Sequence, residues 1–102
     1  MRGAVVDDED GEALRLAVEA LHGCAASYWA HERITVPGTA THRTVYTFLL
    51  HPVAPAIIAF AFLEPVPDAP RETRPRIVLL QRLAHSPLEA VRFAARHDDD
   101  VA

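Results

Sequence analysis

The chain has 102 residues, a formal charge of −4 and one cysteine, and half of its residues are hydrophobic. That length suits a single domain spanning 1–102, able to bury roughly 65% of its unfolded-chain surface, and a lone cysteine excludes an intramolecular disulfide framework. An acidic balance without any lysine opposes the phosphate neutralisation that drives nucleic-acid binding.

Met1 to Val6 run directly into Asp7-Asp8-Glu9-Asp10 and lack the apolar stretch of a signal peptide. The longest apolar run, Val53 to Leu63, is 11 residues and contains Pro55, well short of the roughly 20 that span a bilayer. A soluble, cytoplasmic protein is therefore expected, with Cys24 read as a small buried apolar residue. Frequent alanine and arginine, with no lysine or asparagine, look like GC-rich coding and suggest a bacterial-type source. Residues 1–9 and 98–102 read as acidic, flexible ends.

From Asp10, which can cap it, a helix is expected. Leu14, Ala17, Val18 and Leu21 fall at i, i+3, i+4 and i+7 on one apolar stripe, with Glu12, Arg15 and Glu19 on the other side. Gly23 suits the left-handed residue that ends a helix, although Ala25 and Tyr28 would also extend the stripe. A first strand is expected over 31–36, and whether 26–31 belongs to it or to the helix is left open. Pro37-Gly38 fits the centre of a type II turn. A second strand follows from Thr41 to His51, polar in its first half and apolar on both faces in its second.

His51-Pro52-Val53-Ala54-Pro55 interrupts the sheet, because neither proline can donate to a ladder. The third strand, Ala56 to Glu64, carries Ile58, Phe60 and Phe62 on one face and Ile57, Ala59, Ala61 and Leu63 on the other. Pro65 to Pro75 holds four prolines and no apolar period, which predicts an exposed, partly polyproline loop. Arg76 to Leu83 reads as a fourth strand. Ser86-Pro87-Leu88-Glu89 is a capping box with proline at the first helical position. It opens a second helix from Pro87 to about His97, with Leu88, Val91 and Ala95 on one stripe.

These elements give an α+β fold: helix, antiparallel meander of three to four strands, helix, with both helices packed on one face of the sheet, the side of Ala59 and Ala61. The strands are apolar on both faces, as strands buried on two sides are. The face of Ile58, Phe60 and Phe62 then needs another cover, and a second copy of the chain is the simplest one. A homodimer through the sheet is expected on that ground.

The six histidines show no metal-ligand spacing, and neither a metal site nor a cofactor is indicated. His31-Glu32 lacks the second histidine of the zinc-protease helix, and His22 and Cys24 would point apart on a helix. Ser27, Ser86 and Cys24 are the available nucleophiles, with Ser86 already used as a cap, so no catalytic residue is assigned. His51 stands at a strand end, where functional groups gather; with His31 and Trp29 it would line a pocket between the sheet and the first helix. Residues 71–97 carry six arginines against two glutamates. Arg71, Arg74 and Arg76, in the proline-rich loop, are the expected contacts for a small anionic ligand or an acidic protein.

Helix, three strands and helix is also the order of a double-stranded RNA-binding domain. The resemblance is confined to topology, because Ser86-Pro87-Leu88-Glu89 stands where that family has a lysine-rich helix start. The expected function is a non-enzymatic, homodimeric binding or regulatory module. The alternative is a small-molecule-binding protein or enzyme that uses the pocket beside the first helix; nucleic acid and membrane are disfavoured.

Overall fold

The structure, a computed structural model, describes residues 9–51, 57–81 and 86–96. Apart from Glu9, the acidic ends lie outside those residues, as do the proline break at 52–55, His85 and His97.

Helix α1 spans Glu9–His22, so Asp10 sits within its first turn, beside Glu9 and Glu12, rather than ahead of it. Carboxylates there meet the positive end of the helix dipole. Leu14 and Val18 are buried with Ala17 packed beside them, whereas Leu21 is 47% exposed and leaves the stripe. Gly23 ends the helix at φ 65°, and its N–H donates to the Glu19 carbonyl at 2.8 Å. This left-handed residue turns the chain out of the helix, so residues 25 onward form strand rather than further helix.

Strands β1 (Ala25–Thr35), β2 (His42–His51), β3 (Ile57–Val66) and β4 (Ala69–Gln81) make one antiparallel sheet in the order β1-β2-β3-β4. Gly38 adopts φ 80° and the Thr39 N–H donates to the Val36 carbonyl at 3.1 Å, which closes the turn that Pro37-Gly38 predicts. The β1–β2 ladder runs from Ala25↔His51 to Thr35↔His42 and shifts register between Tyr28 and Ala30, leaving Trp29 as the extra residue of a bulge. One extra residue exchanges the faces of odd and even positions. Ala26 and Tyr28 therefore pack on the α1 side, while Ile34 packs on the other.

The stretch Pro65 to Pro75 is not the loop its prolines suggest. It is the end of β3, a turn at Pro67-Asp68 and the start of β4. Proline is tolerated in a sheet where an edge is free, and both strands have a free edge here. β4 is an outer strand, and the β2–β3 ladder ends at Tyr46↔Ala61, before β3 reaches Pro65.

Helix α2, Pro87–Arg96, corrects the expected placement of the helices. Its Ala90, Val91 and Ala94 pack with Val45, Phe60, Phe62 and Val78, whereas α1 packs Leu14 and Val18 against Tyr46, Phe48, Ala59 and Ala61. The helices thus lie on opposite faces of the sheet. The division follows side-chain size: α1 brings large residues to the Ala59 and Ala61 face, and α2 brings small ones to the Phe60 and Phe62 face, so each pairing fills space. The buried stripe of α2 is accordingly Ala90, Val91 and Ala94, with Ala95 exposed.

This arrangement removes the reason for a second copy over that face. Phe60 is 2% exposed and Phe62 fully buried within the single chain, both beneath α2, and only Ile58 of the three expected interface residues is partly exposed.

Candidate functional site

The sheet divides at one end. β1–β2 pairing continues to Thr35↔His42 and β3–β4 pairing to Val66↔Ala69, but β2 and β3 are paired only over Tyr46↔Ala61 to Leu49↔Ile58. Beyond Tyr46 and Ala61 the two hairpins diverge and leave a wedge on the α1 side, a cleft of about 360 Å³. Asp10 and Leu14 of α1 form its roof, and His42, Thr44 and Tyr46 of β2 form one wall. Leu63 and Pro65 of β3, with Thr73 of β4, form the other. On the opposite face the Arg43 guanidinium lies over the Phe62 ring, 5.1 Å from its centroid, in cation–π geometry.

An aromatic row runs from the cleft to the edge of the sheet. Tyr46 stacks with Phe48 at a centroid distance of 6.4 Å, and the His31 ring lies 5.5 Å from Tyr46. Tyr28 meets Phe48 edge-on at 6.3 Å, and its hydroxyl is hydrogen-bonded to His31 Nδ1 at 2.6 Å. Among the described residues the cleft is thus bounded by hydroxyls, one imidazole and one carboxylate over an apolar lining. A second, smaller hollow of about 240 Å³ lies on the α2 side, between Pro87 and the β1 edge, and includes Trp29, Glu32, Thr47 and Ile58.

No protein-family model, curated protein or solved structure matches the chain.

None of the site residues singled out in the sequence is among the described residues that line the larger cleft. His31 and Trp29 are exposed and both border the smaller hollow, while His51 pairs with Ala25 at the far end of β2. The three arginines part company. Arg71 is exposed. Arg74 gives its Nε to Glu64 Oε2 at 3.0 Å. Arg76 is 2% exposed and donates from Nη1 to Glu64 at 3.2 Å and from Nη2 to the Ala94 carbonyl at 2.7 Å. Arg76 is therefore a strut between the sheet and the last turn of α2, satisfying a carbonyl that the helix end leaves without an intrahelical donor. An anion would have to displace Glu64 to reach it.

The outer face of α1 holds its own network, in which Arg15 gives Nε to Glu12 at 3.0 Å and Nη1 to Glu19 at 2.9 Å. The hydrogen bond from Arg15 holds the Glu12 carboxyl below its usual range, and the same contact raises the guanidinium. Glu19 Oε2 also accepts from the Ala26 N–H at 2.8 Å, which fastens α1 to the start of β1. Cys24 is a partly buried free thiol beside the α1-side core. Among the described residues no three metal-ligating side chains cluster.

Sequence reasoning missed His42, Thr44 and Thr73. A signal was present in β2: Thr41 to Thr44 is polar at odd and even positions alike, the pattern of a strand end covered on neither face.

Proposed function

We propose that this protein is a small binding or regulatory module whose ligand sits in the cleft between α1 and the diverging hairpins. The observation that carries this reading is the early end of the β2–β3 ladder under the first turn of α1. A concave site with an apolar lining and a few convergent polar groups is the usual form of a small-molecule site, and this one lies between the sheet and the first helix. The test is a fragment titration of the full chain followed by amide NMR shifts. Saturable shifts confined to Thr44, Tyr46, Leu63 and Thr73 support the reading, and fragments that select other surfaces overturn it.

Self-association is a second reading, now through a different surface. Trp29 is 44% exposed in the bulge of outer strand β1, beside the smaller hollow. An exposed tryptophan at such an edge is a natural anchor for a homodimer. Light scattering at micromolar concentration decides it: a mass of 11.2 kDa rejects the dimer, and twice that mass lost on Trp29→Asp supports it.

A further inference from the structure

We propose that the cleft takes a small oxyanion, a carboxylate or phosphate group carried on a compact apolar body; the inference rests on the cleft reading above. In the β1–β2 register Arg33 stands opposite Thr44, and His42 stands opposite Thr35. Arg33 and His42 are therefore diagonal neighbours on the α1 face, within about 7–8 Å of each other at the backbone, with the Thr44 side chain beside both. His31 precedes Arg33 on the same face, against Tyr46. Arg33 and His42 are both exposed, and neither side chain has an ion-pair or hydrogen-bond partner among the described residues.

The charge distribution makes this rim unusual for an acidic chain. Glu64 is held by Arg74 and Arg76, and Glu12 and Glu19 are held by Arg15. Glu32 is opposite Val45 and so faces the α2 side. Among the described residues Asp10 is the only carboxylate lining the cleft, in the α1 roof at the helix end where the dipole offsets its charge. A guanidinium with a hydroxyl beside it can present several donors to one oxyanion. Leu14, Leu63 and Pro65 would then receive the apolar body deeper in the wedge.

The test is an amide-shift titration of the full chain at pH 7 and fixed ionic strength, with benzoate, phenyl phosphate and the neutral benzamide as probes. At least one anion should shift Thr44, Tyr46 and Leu63 saturably and bind about tenfold more tightly than benzamide, and the stronger of the two distinguishes carboxylate from phosphate. Arg33→Gln should weaken that anion about tenfold, while Arg92→Gln, exposed on α2, should leave it unchanged. Equal binding of benzamide at the same amides overturns the oxyanion inference and leaves the cleft reading standing. An unchanged affinity in Arg33→Gln also overturns the inference. Absence of shifts at the cleft with every probe overturns both.

Discussion

The Tyr28 hydroxyl and His31 Nδ1 are 2.6 Å apart, a contact between residues i and i+3 that a regular strand would place on opposite faces. The bulge at Trp29 makes it, because the extra residue is passed over and Tyr28 and His31 face Phe48 and Tyr46 in succession. Deleting Trp29 should therefore leave every other β1–β2 pair in register. Cross-strand nuclear Overhauser contacts between His31 and Tyr46 should survive the deletion, and their loss would show that the bulge sets the register. Tyr28→Phe, which removes an exposed hydrogen bond, should cost less than about 1 kcal/mol.

Arg76 and Arg74 share Glu64 but differ in burial, and their substitutions should differ accordingly. Arg76→Ala strands the Ala94 carbonyl and removes a buried partner of Glu64, for an expected loss of about 3 kcal/mol. Arg74→Ala removes a half-exposed partner and should cost about 1 kcal/mol or less. Urea denaturation of the two variants measures both. Equal losses would contradict the role of Arg76 as the strut of α2.

The Arg15 network makes a small part of the stability depend on acid. Glu12 has its carboxyl lowered in the folded state by the hydrogen bond from Arg15. A group of that sign contributes its full stabilisation above the unfolded carboxylate range and loses it as pH falls through the folded value. The denaturation midpoint should therefore decline on acidification below the usual carboxylate range, and less steeply in Glu12→Gln. Equal slopes for the two proteins would show that the pair carries no linkage.

The elements of this fold are legible in the sequence because local signals mark them: the Gly23 stop, the Pro37-Gly38 turn and the Ser86 cap are all used. The side of the sheet chosen by α2 is not legible, since its small stripe packs as readily by local rules on either face and only the matching size of Phe60 and Phe62 selects one. The Pro65–Pro75 hairpin is hidden for a related reason. Proline argues against a central strand, and the freedom of the edge there depends on where the β2–β3 ladder stops, a long-range property. The same stopping point creates the cleft, so of its walls only the polar run Thr41–Thr44 shows in the sequence.

Ser86 performs the capping its sequence implies, with Oγ accepting from the Glu89 N–H at 3.3 Å. Ser86→Ala should lower stability by about 1 kcal/mol, and Ser86→Asp should restore most of it, because an aspartate caps equally well. A midpoint unchanged in the alanine variant would show that Pro87 alone starts the helix.

Phe60 tests the opposed helices most directly. Its ring is 2% exposed beneath α2, in one cluster with Ala90, Val91 and Ala94. Phe60→Ala should leave a cavity and cost about 3–5 kcal/mol, a loss independent of protein concentration because the cover belongs to the same chain. If instead Phe60 were covered by a second copy, the loss would grow on dilution. Ala61, fully buried on the α1 side, provides the matching measurement: Ala61→Asp should unfold the chain as Phe60→Asp does, because each puts a charge into a closed layer. A Phe60→Asp variant that stays folded would place α2 elsewhere.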